Sequence, residues 1–368
     1  TNTMASSQIH IVHIVESFGG GCLTVLSALT HELHNDFRHT VIYSIRAETP
    51  TNIKELFGDK VDLIHLEMRF FKNISLLFSS ISYIKNFLIH QSSPIIVHCH
   101  SSIAGVIGRL AAWQAGIPVI YTPHAYSFLA SNPSWITRRT FYAAEWLLAR
   151  LGTATIACGD EEYRIARNLS GQRPVFLVHN GIDAATLPAL DQATPERAHE
   201  RLVVGAMGRT SHQQDVTLFN SIAAALHESC TFIWIGADVD NTDILDFVQK
   251  TGWLPHEPAL RELVRTDVVL HLTRYDGLSC ALLEAMALQK VVIATDTPSN
   301  RSIVKHGETG FLISDSANAV DKLRLLLKDD ALRHSMGNAA RQYVEKHFRS
   351  ADMATQYASI YRKLCIEH

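Results

Sequence analysis

The segment of residues 267–296 constrains the fold more than any other part of the chain. An apolar run of strand type spans 267–273, a run of helix formers covers 281–288, and a second strand-type run begins at Lys290. Strands that are apolar throughout are typical of parallel sheets, which are buried on both faces. The segment therefore predicts a βαβ unit. The loop between its first strand and its helix lies at the carboxyl end of a parallel strand, where open α/β sheets bind ligands.

Two carboxylates mark this loop and helix. Asp276 stands in the loop, and Glu284 follows eight residues later in the predicted helix. Both point toward the helix N-terminus, where free backbone N–H groups and the helix dipole favour an anion. A carboxylate beside an anion is repelled unless it has another partner, and sugar hydroxyls are such a partner. The alternative is that Asp276 is a turn residue and Glu284 a solvated helix residue.

The residues of this segment are similar to a known family. Asp276 to Glu284 resembles the acidic-x7-acidic signature of retaining glycosyltransferases of the GT-B fold, most closely glycosyltransferase family 4, in which the first acid is usually Glu. Gly208-Arg209 resembles the family's GR loop, whose arginine grips the donor diphosphate. The family's lysine five residues later is Gln214 here, so one positive charge is missing.

The resemblance implies an α/β fold of the GT-B type, with two doubly wound Rossmann-like domains facing a central cleft. A chain of 368 residues is long enough for two domains, and strand-type and helix-type runs alternate in both halves. We expect an acceptor-side domain over 1–185, a linker over 186–200 and a nucleotide-sugar domain over 201–345. The last segment, 346–368, is expected to be a helix that crosses back to the first domain.

Three histidines in the first half follow strand-type runs. His98 and His100 end one run, and His124 follows the next. This pattern is similar to bacterial surface-polysaccharide members of family 4, in which the histidine that matches His124 lies beside the transferred sugar. The resemblance therefore implies a catalytic role for His124 and acceptor contacts for His98 and His100. A histidine at a strand end can also be a satisfied structural donor.

A glycine triplet separates the first strand from the first helix. Gly19-Gly20-Gly21 lacks the GxGxxG spacing of dinucleotide sites, and it could be a plain tight turn. In family 4 a similar strand–GG–helix arrangement brings the backbone close to the donor diphosphate and the acceptor. The resemblance therefore assigns Gly20 and Gly21 to the donor site.

The resemblance also implies the remaining contacts with the donor and with the acceptor. Asp276 is expected to be catalytic, like His124, and to hold hydroxyls of the transferred sugar. Donor contacts are expected from Arg209, Gln214, Trp253, Gly277, Leu278, Ser279, Cys280 and Glu284. Acceptor contacts are expected from Arg138, Arg139 and Asn180, although the arginines also suit a solvated helix face and Asn180-Gly181 is a turn signal. No metal or other cofactor is expected, because the helix dipole and an arginine serve the diphosphate. His212 or Arg274 could replace the missing lysine.

Composition and charge narrow the class of protein further. Hydrophobic residues make up 47% of the chain, which suits a large core, and the net charge of −3 gives no signal for nucleic acid. The six cysteines are scattered, as in reduced cytoplasmic proteins. No signal peptide or run of transmembrane length is recognised. The segment 68–90 carries Arg69, Phe70, Phe71 and Lys72, which suit a peripheral membrane contact or a lipid-linked acceptor; a core helix is the alternative.

The predicted function is therefore a retaining, metal-independent, hexosyl-type glycosyltransferase of cell-surface polysaccharide synthesis, such as lipopolysaccharide or capsule. The donor is expected to be a nucleotide sugar, with UDP favoured over GDP, and the acceptor a glycan or a lipid-linked glycan. Two other functions stay open. A catalytically weak nucleotide-sugar-binding partner is favoured by Gln214 and Asp276, and a nucleotide-sugar epimerase can also use a GT-B fold.

Overall fold

A computed structural model describes residues 8–68, 74–92, 94–129, 134–188 and 201–367. The chain forms two compact units: the first contains the described residues up to 180 together with 350–367, and the second contains those from 181 to 349. Most of the predicted linker, and the basic-aromatic run Arg69 to Lys72, lie outside the described residues. No helix in the described ranges is long and apolar enough to cross a membrane.

The first unit is built on a seven-stranded sheet. Its strands are β1 His10–Val15, β2 Arg38–Tyr43, β3 Val61–His65, β4 Ile95–His100, β5 Val119–Thr122, β6 Ala154–Ala157 and β7 Val175–Leu177. All neighbours are parallel, in the order β3-β2-β1-β4-β5-β6-β7. The order reverses between β1 and β4, so the loops after these two strands diverge and leave room for a ligand.

Helices connect these strands. They are α1 Gly20–Leu33, α2 Ile53–Phe57, α3 Ile74–Ile89, α4 Ser102–Ala115, α5 Trp135–Leu148 and α6 Asp160–Ser170. Helix α4 is followed by Gly116 in the left-handed conformation (φ +68°), a common C-cap that glycine adopts without strain. Helix α3 occupies most of the segment 68–90.

The second unit repeats the architecture with six parallel strands. These are β8 Leu202–Met207, β9 Cys230–Ile235, β10 Gln249–Lys250, β11 Val268–His271, β12 Val291–Thr295 and β13 Gly310–Ile313, in the order β10-β9-β8-β11-β12-β13. The helices are α7 Val216–Leu226, α8 His256–Val264, α9 Cys280–Ala287, α10 Pro298–Ile303, α11 Ser316–Lys328 and α12 Asp330–His347. The predicted βαβ unit is confirmed as β11-α9-β12, and so is the α/β class with two doubly wound sheets.

The last helix, α13 Ser350–Glu367, belongs to the first unit, where it packs on α1. Ser350 Oγ lies 3.0 Å from a carboxylate oxygen of Glu32. The ring of Tyr361 packs edge-on against Phe37, with 5.5 Å between the centroids. The apolar face of α13 is therefore buried, and its polar ends are fixed by side chains of the first unit.

Candidate functional site

The loop after β11 ends in a capped helix. The hydroxyl of Ser279 accepts a hydrogen bond from the backbone N–H of Leu282 at 3.3 Å, so Ser279 is the N-cap of α9. Asp276 Oδ1 accepts the backbone N–H of Gly277 at 2.8 Å. Residues 277–280 are buried at this helix end. The structure therefore places Asp276 and residues 277–280 at the N-terminus of α9, and their contacts with a donor stay a prediction.

Glu284 is not a solvated helix residue. It is only 3% exposed, and its Oε1 lies 2.7 Å from Nε2 of His256, the first residue of α8. Burial lowers the pKa of His256, but the hydrogen bond and charge of Glu284 raise it by more, so the net shift is upward. The sequence argument missed His256. Trp253, half-exposed, lies three residues before it.

A second histidine lies near Asp276. His271 ends β11 and is 4% exposed, and burial lowers its pKa to about 4. Its Nε2 lies 3.9 Å from Asp276 Oδ2 and has no hydrogen-bond partner among the described residues. Asp276 and Glu284 thus each lie beside a histidine, but only Glu284 is hydrogen-bonded to it.

The loop after β8 carries Arg209 and Gln214. Gly208 has φ +130°, and a Cβ built on it would lie 3.1 Å from the amide nitrogen of Gln214. The loop is tied to the strand-end segment after β11, because Gln214 forms a bridge with Thr273. Arg209 is exposed. The two loops therefore adjoin within the second unit, while the diphosphate contact stays a prediction.

Arg274, one of the two candidates for the missing lysine's role, is already paired with an acid. Its guanidinium donates to both carboxylate oxygens of Asp215, at 2.9 and 3.2 Å, and Asp215 is the N-cap of α7. A forked pair of this kind fixes the arginine head in one place. His212 is exposed and stays open as a source of positive charge.

In the first unit, His98 lies in a setting that fits the structural alternative. The residue is fully buried, and both ring nitrogens are engaged: Nδ1 lies 2.7 Å from the hydroxyl of Tyr361 and Nε2 lies 2.9 Å from the hydroxyl of Thr122. Helix α13 covers this strand end. The acceptor contact of His98 stays a prediction.

The acceptor contact predicted for His100 also stays a prediction. His100 is 1% exposed and lies in a continuous series of imidazoles. Its Nε2 is 3.2 Å from His13 Nδ1 and its Nδ1 is 3.0 Å from His124 Nε2; His13 Nε2 is in turn 3.1 Å from His39 Nδ1. We call His39, His13, His100 and His124 the histidine chain. Only His124 at its end is partly exposed.

The backbone at His124 adopts an uncommon conformation. His124 and Ala125 both have positive φ, +49° and +79°. A buried carboxylate holds this turn: Glu162 accepts the backbone N–H of Ala125 at 2.8 Å and that of Cys158 at 2.7 Å. Burial raises the pKa of Glu162. Non-glycine residues in this region are strained and cluster at functional sites.

The other predicted residues of the first unit occupy different settings. Gly20 has φ +54° at the start of α1, and a Cβ there would meet nothing within 4 Å, so the backbone is open to approach. Arg138 and Arg139 are exposed on α5, and Arg139 lies 5.8 Å from the ring of Trp135. Asn180 is 3% exposed. The contacts of these residues with an acceptor stay predictions.

Two groups of side chains have the composition of a metal site. Ligand atoms lie within 4.8 Å of one another in His13, His98 and His100, and in Cys22, His100 and His124. The sequence argument missed both groups. Every histidine in them already makes a side-chain hydrogen bond, and neither group contains a carboxylate to balance an ion's charge. The expectation that the protein uses no metal stays a prediction.

Two family models match the chain in succession. The model described as Glycosyltransferase Family 4 matches residues 19–186, and the model described as Glycosyl transferases group 1 matches residues 191–343. Together the two matches extend from the first helix of the first unit to the last turns of α12.

Three relatives are similar over most of the chain. An uncharacterized 41.2 kDa protein in the cps region of Klebsiella pneumoniae is 26% identical, over 96% of this chain and 99% of its own length. The putative glycosyltransferase EpsD of Bacillus subtilis is 28% identical, over 72% and 76%. The capsular polysaccharide biosynthesis glycosyltransferase CapM of Staphylococcus aureus is 24% identical, over 74% and 78%.

Solved structures share the fold. Sucrose-phosphate synthase from Thermosynechococcus elongatus matches with a TM-score of 0.83 at 18% identity, over 98% of this chain and 100% of that chain. HepE of Anabaena, solved in complex with UDP and glucose, matches with a TM-score of 0.76 at 16% identity, over 96% and 99%. At these identities the likeness concerns the fold.

Proposed function

Because the chain belongs to glycosyltransferase family 4 and has the GT-B fold, we propose that it transfers a sugar from a UDP-sugar to a glycan or lipid-linked glycan of the cell surface. The acidic pair around the N-terminus of α9 carries the proposal. Asp276 lies in the loop before the helix, and Glu284 is buried about one turn into it. An anion and a set of hydroxyl groups are the two chemical features that this arrangement suits.

The second unit contains a group suited to each part of a nucleotide sugar. The N-terminus of α9 and the exposed guanidinium of Arg209 would hold the diphosphate and stabilise it as it departs. Glu284, whose Oε1 is held by His256, would accept the ribose hydroxyls. Asp276 would accept hydroxyls of the transferred sugar. Retention of configuration and independence from metal are part of the proposal.

The proposals for the nucleotide base of the donor and for the product polysaccharide are supported by similar proteins. HepE was solved with UDP and glucose, and CapM and EpsD are named as glycosyltransferases, CapM in capsular polysaccharide biosynthesis. These names favour UDP over GDP and a capsule or other exopolysaccharide as the product. In the first unit, the partly exposed His124 would contact a sugar hydroxyl.

Two helices of the first unit suggest how a lipid-linked acceptor could be approached. Helix α3 exposes Ile74 and Phe78, and helix α5 exposes Trp135 and Trp146 together with its arginines. Exposed aromatic side chains beside arginine suit the surface of an anionic membrane. The proposed membrane contact therefore includes helix α5 as well as the segment 68–90. Co-sedimentation with phosphatidylglycerol vesicles tests this, and a loss of binding in Trp135→Ser/Trp146→Ser is expected.

A catalytically weak binding partner is the second candidate. Gln214 favours it, because the family's lysine is absent and Arg274 is held by Asp215. An epimerase is less well supported, since family models for glycosyltransferases match both halves.

Calorimetric titration with UDP and GDP tests the proposed donor site. We expect micromolar binding of UDP, weaker binding of GDP, and at least a tenfold loss for UDP in Arg209→Ala. Arg324→Ala is the matched control, since Arg324 is an exposed arginine of α11 in the same unit. If neither nucleotide binds, the transferase proposal is overturned.

A further inference from the structure

His271 is a buried polar residue at the end of an apolar strand. It is the last residue of β11, and its side chain is only 5% exposed. Its Nε2 has no hydrogen-bond partner among the residues that the structure describes. A buried polar atom without a partner costs free energy, and native proteins retain few of them. An acceptor that moves to this nitrogen would therefore be stabilised there.

The carboxylate of Asp276 lies within reach of this nitrogen. Its Oδ2 is 3.9 Å from Nε2 of His271. A hydrogen bond between these atoms requires about 2.7–3.2 Å, so the gap has to close by about 1 Å, which rotation of an aspartate side chain provides. The carboxylate also favours the tautomer of His271 that carries its proton on Nε2, because a bare lone pair there would face another lone pair.

The other oxygen of Asp276 is engaged with the backbone before α9. Its Oδ1 accepts the N–H of Gly277 at 2.8 Å. Gly277 is buried in the loop that leads into the N-terminus of α9. Backbone N–H groups at such a place are the groups that bind phosphate. The carboxylate of Asp276 and an oxygen of the proposed diphosphate therefore compete for the same N–H group.

We propose that Asp276 exchanges partners when the nucleotide sugar binds: the diphosphate takes the N–H of Gly277, and the displaced carboxylate accepts a hydrogen bond from Nε2 of His271. This inference rests on the proposed function. His271 is then a positioning residue, because it acts through Asp276. With Oδ2 held by His271, Oδ1 is released from Gly277 and can accept a hydroxyl of the transferred sugar.

The exchange also reduces the repulsion between two anions. A carboxylate next to a diphosphate is destabilised, and the side chain of Asp276 is only 18% exposed, so water screens this repulsion weakly. Turning toward an N–H group offsets the loss of the Gly277 hydrogen bond. Binding of the diphosphate therefore replaces one hydrogen bond of Asp276 by another.

A double-mutant cycle separates this role from a purely structural one. In His271→Leu the displaced carboxylate loses the N–H that would receive it, and we expect the Kd for UDP to rise about tenfold. In Asp276→Ala the competitor for the Gly277 N–H is absent, and we expect the Kd to fall about threefold. Adding His271→Leu to Asp276→Ala should then change the Kd by less than about twofold, whereas a structural defect would weaken binding in both backgrounds.

Two further variants are controls. Asp321→Ala removes the same charge from α11 of the same unit, where the side chain is 74% exposed, and should leave the Kd unchanged. His271→Gln retains an N–H group near the position of Nε2 and should bind UDP within about twofold of the wild type. It therefore distinguishes the loss of the hydrogen bond from the loss of the ring.

Calorimetric titration of UDP into these variants is the test. An equal loss from His271→Leu in both backgrounds, or no loss in either, would overturn the proposal and leave the donor site intact. If UDP binds neither the wild type nor any variant, the donor site fails and the proposal fails with it.

A second measurement decides if His271→Leu does not fold. Long-range ¹H–¹⁵N correlation NMR detects the Nε2 proton of His271, and UDP should move its signal downfield in the wild type but not in Asp276→Ala. An unchanged signal in the wild type at saturating UDP would overturn the proposal.

Discussion

His256 Nε2 lies 2.7 Å from Oε1 of Glu284, and the two side chains differ sharply in exposure: 47% for His256 and 4% for Glu284. A half-exposed histidine at the start of α8 thus orients a buried carboxylate of α9. A carboxylate offers two oxygens as acceptors, so the pairing of Oε1 with His256 leaves Oε2 for a hydroxyl group. The pair links the α9 site to the segment that follows Trp253.

Removing His256 should weaken nucleotide binding. In His256→Ala, Glu284 loses the hydrogen bond that fixes its carboxylate, and we expect the Kd for UDP to rise about tenfold, which corresponds to about 1.4 kcal/mol. Calorimetry at pH 7 measures this. His334→Ala, at an exposed histidine of α12 in the same unit, should leave the Kd unchanged. Unchanged or tighter binding in His256→Ala would show that the histidine does not support the ribose contact.

Restoring the missing charge should tighten binding. Gln214→Lys places an ammonium group beside Gly208, where the glutamine amide now lies. One added charge contact in a partly exposed site is worth on the order of 1 kcal/mol, so we expect UDP to bind about five times more tightly, with a stronger dependence on salt. Gln249→Lys adds the same charge at an exposed position of β10 and is the control. If both variants bind UDP more tightly to the same extent, the gain comes from the net charge of the protein and not from a contact at position 214.

Acid should destabilise the first unit more than the second. His10, His39 and His124 have pKa values of about 4, against 6.5 for the free side chain, because of burial. Between these values the unfolded chain binds more protons than the folded unit. The free energy of unfolding therefore falls as the pH falls from 6.5 toward 4, by up to about 1.4 kcal/mol per histidine per pH unit.

In the second unit, two histidines make opposite contributions to the pH dependence of stability. The pKa of His271 is lowered and that of His256 is raised, so their contributions oppose each other in sign. In the first unit, the raised pKa of Glu162 offsets only part of the histidine effect. Hydrogen exchange by mass spectrometry at pH 7.5 and 5.5 should show a larger loss of protection in the first unit. An equal loss in both units would contradict this prediction.

A buried ion pair should dominate the stability of the α4–α5 contact. Arg109 donates to Glu145 Oε2 at 2.8 Å, Tyr121 donates to Oε1 at 2.9 Å, and Arg109 is 1% exposed. Glu145→Ala leaves a buried guanidinium without its counter-ion, which costs about 3–5 kcal/mol. Urea denaturation measures this cost. Glu55→Ala, at an exposed position of α2, should change stability by less than about 0.5 kcal/mol.

The sequence predicted the features that local patterns encode. The parallel strands and the βαβ unit follow from short runs of neighbouring residues, and the structure has both. The acidic pair was found through its spacing within one βαβ unit.

The misses involve partners that are distant in the chain. His98 looked available at a strand end, but Tyr361, 263 residues away, occupies its Nδ1. The sequence argument gave no role to His13, in the strand His-Ile-Val-His-Ile-Val, or to His39, in the strand Arg-His-Thr-Val-Ile-Tyr. The parallel register that puts His13 beside His98 joins residues that are 85 positions apart, which no local pattern shows. His256 and Glu162 form contacts that no local pattern encodes.

The most direct measurement is UDP release from UDP-glucose, UDP-galactose and UDP-N-acetylglucosamine, with water as the acceptor, for the wild type and for Asp276→Asn. A glycosyltransferase with this site should release UDP and free sugar in equal amounts from at least one donor, slowly, and Asp276→Asn should lower the rate about 100-fold or more while UDP still binds. UDP binding without cleavage of any donor, or conversion of one donor sugar into another with no UDP released, would contradict transfer and favour the binding partner or the epimerase, respectively.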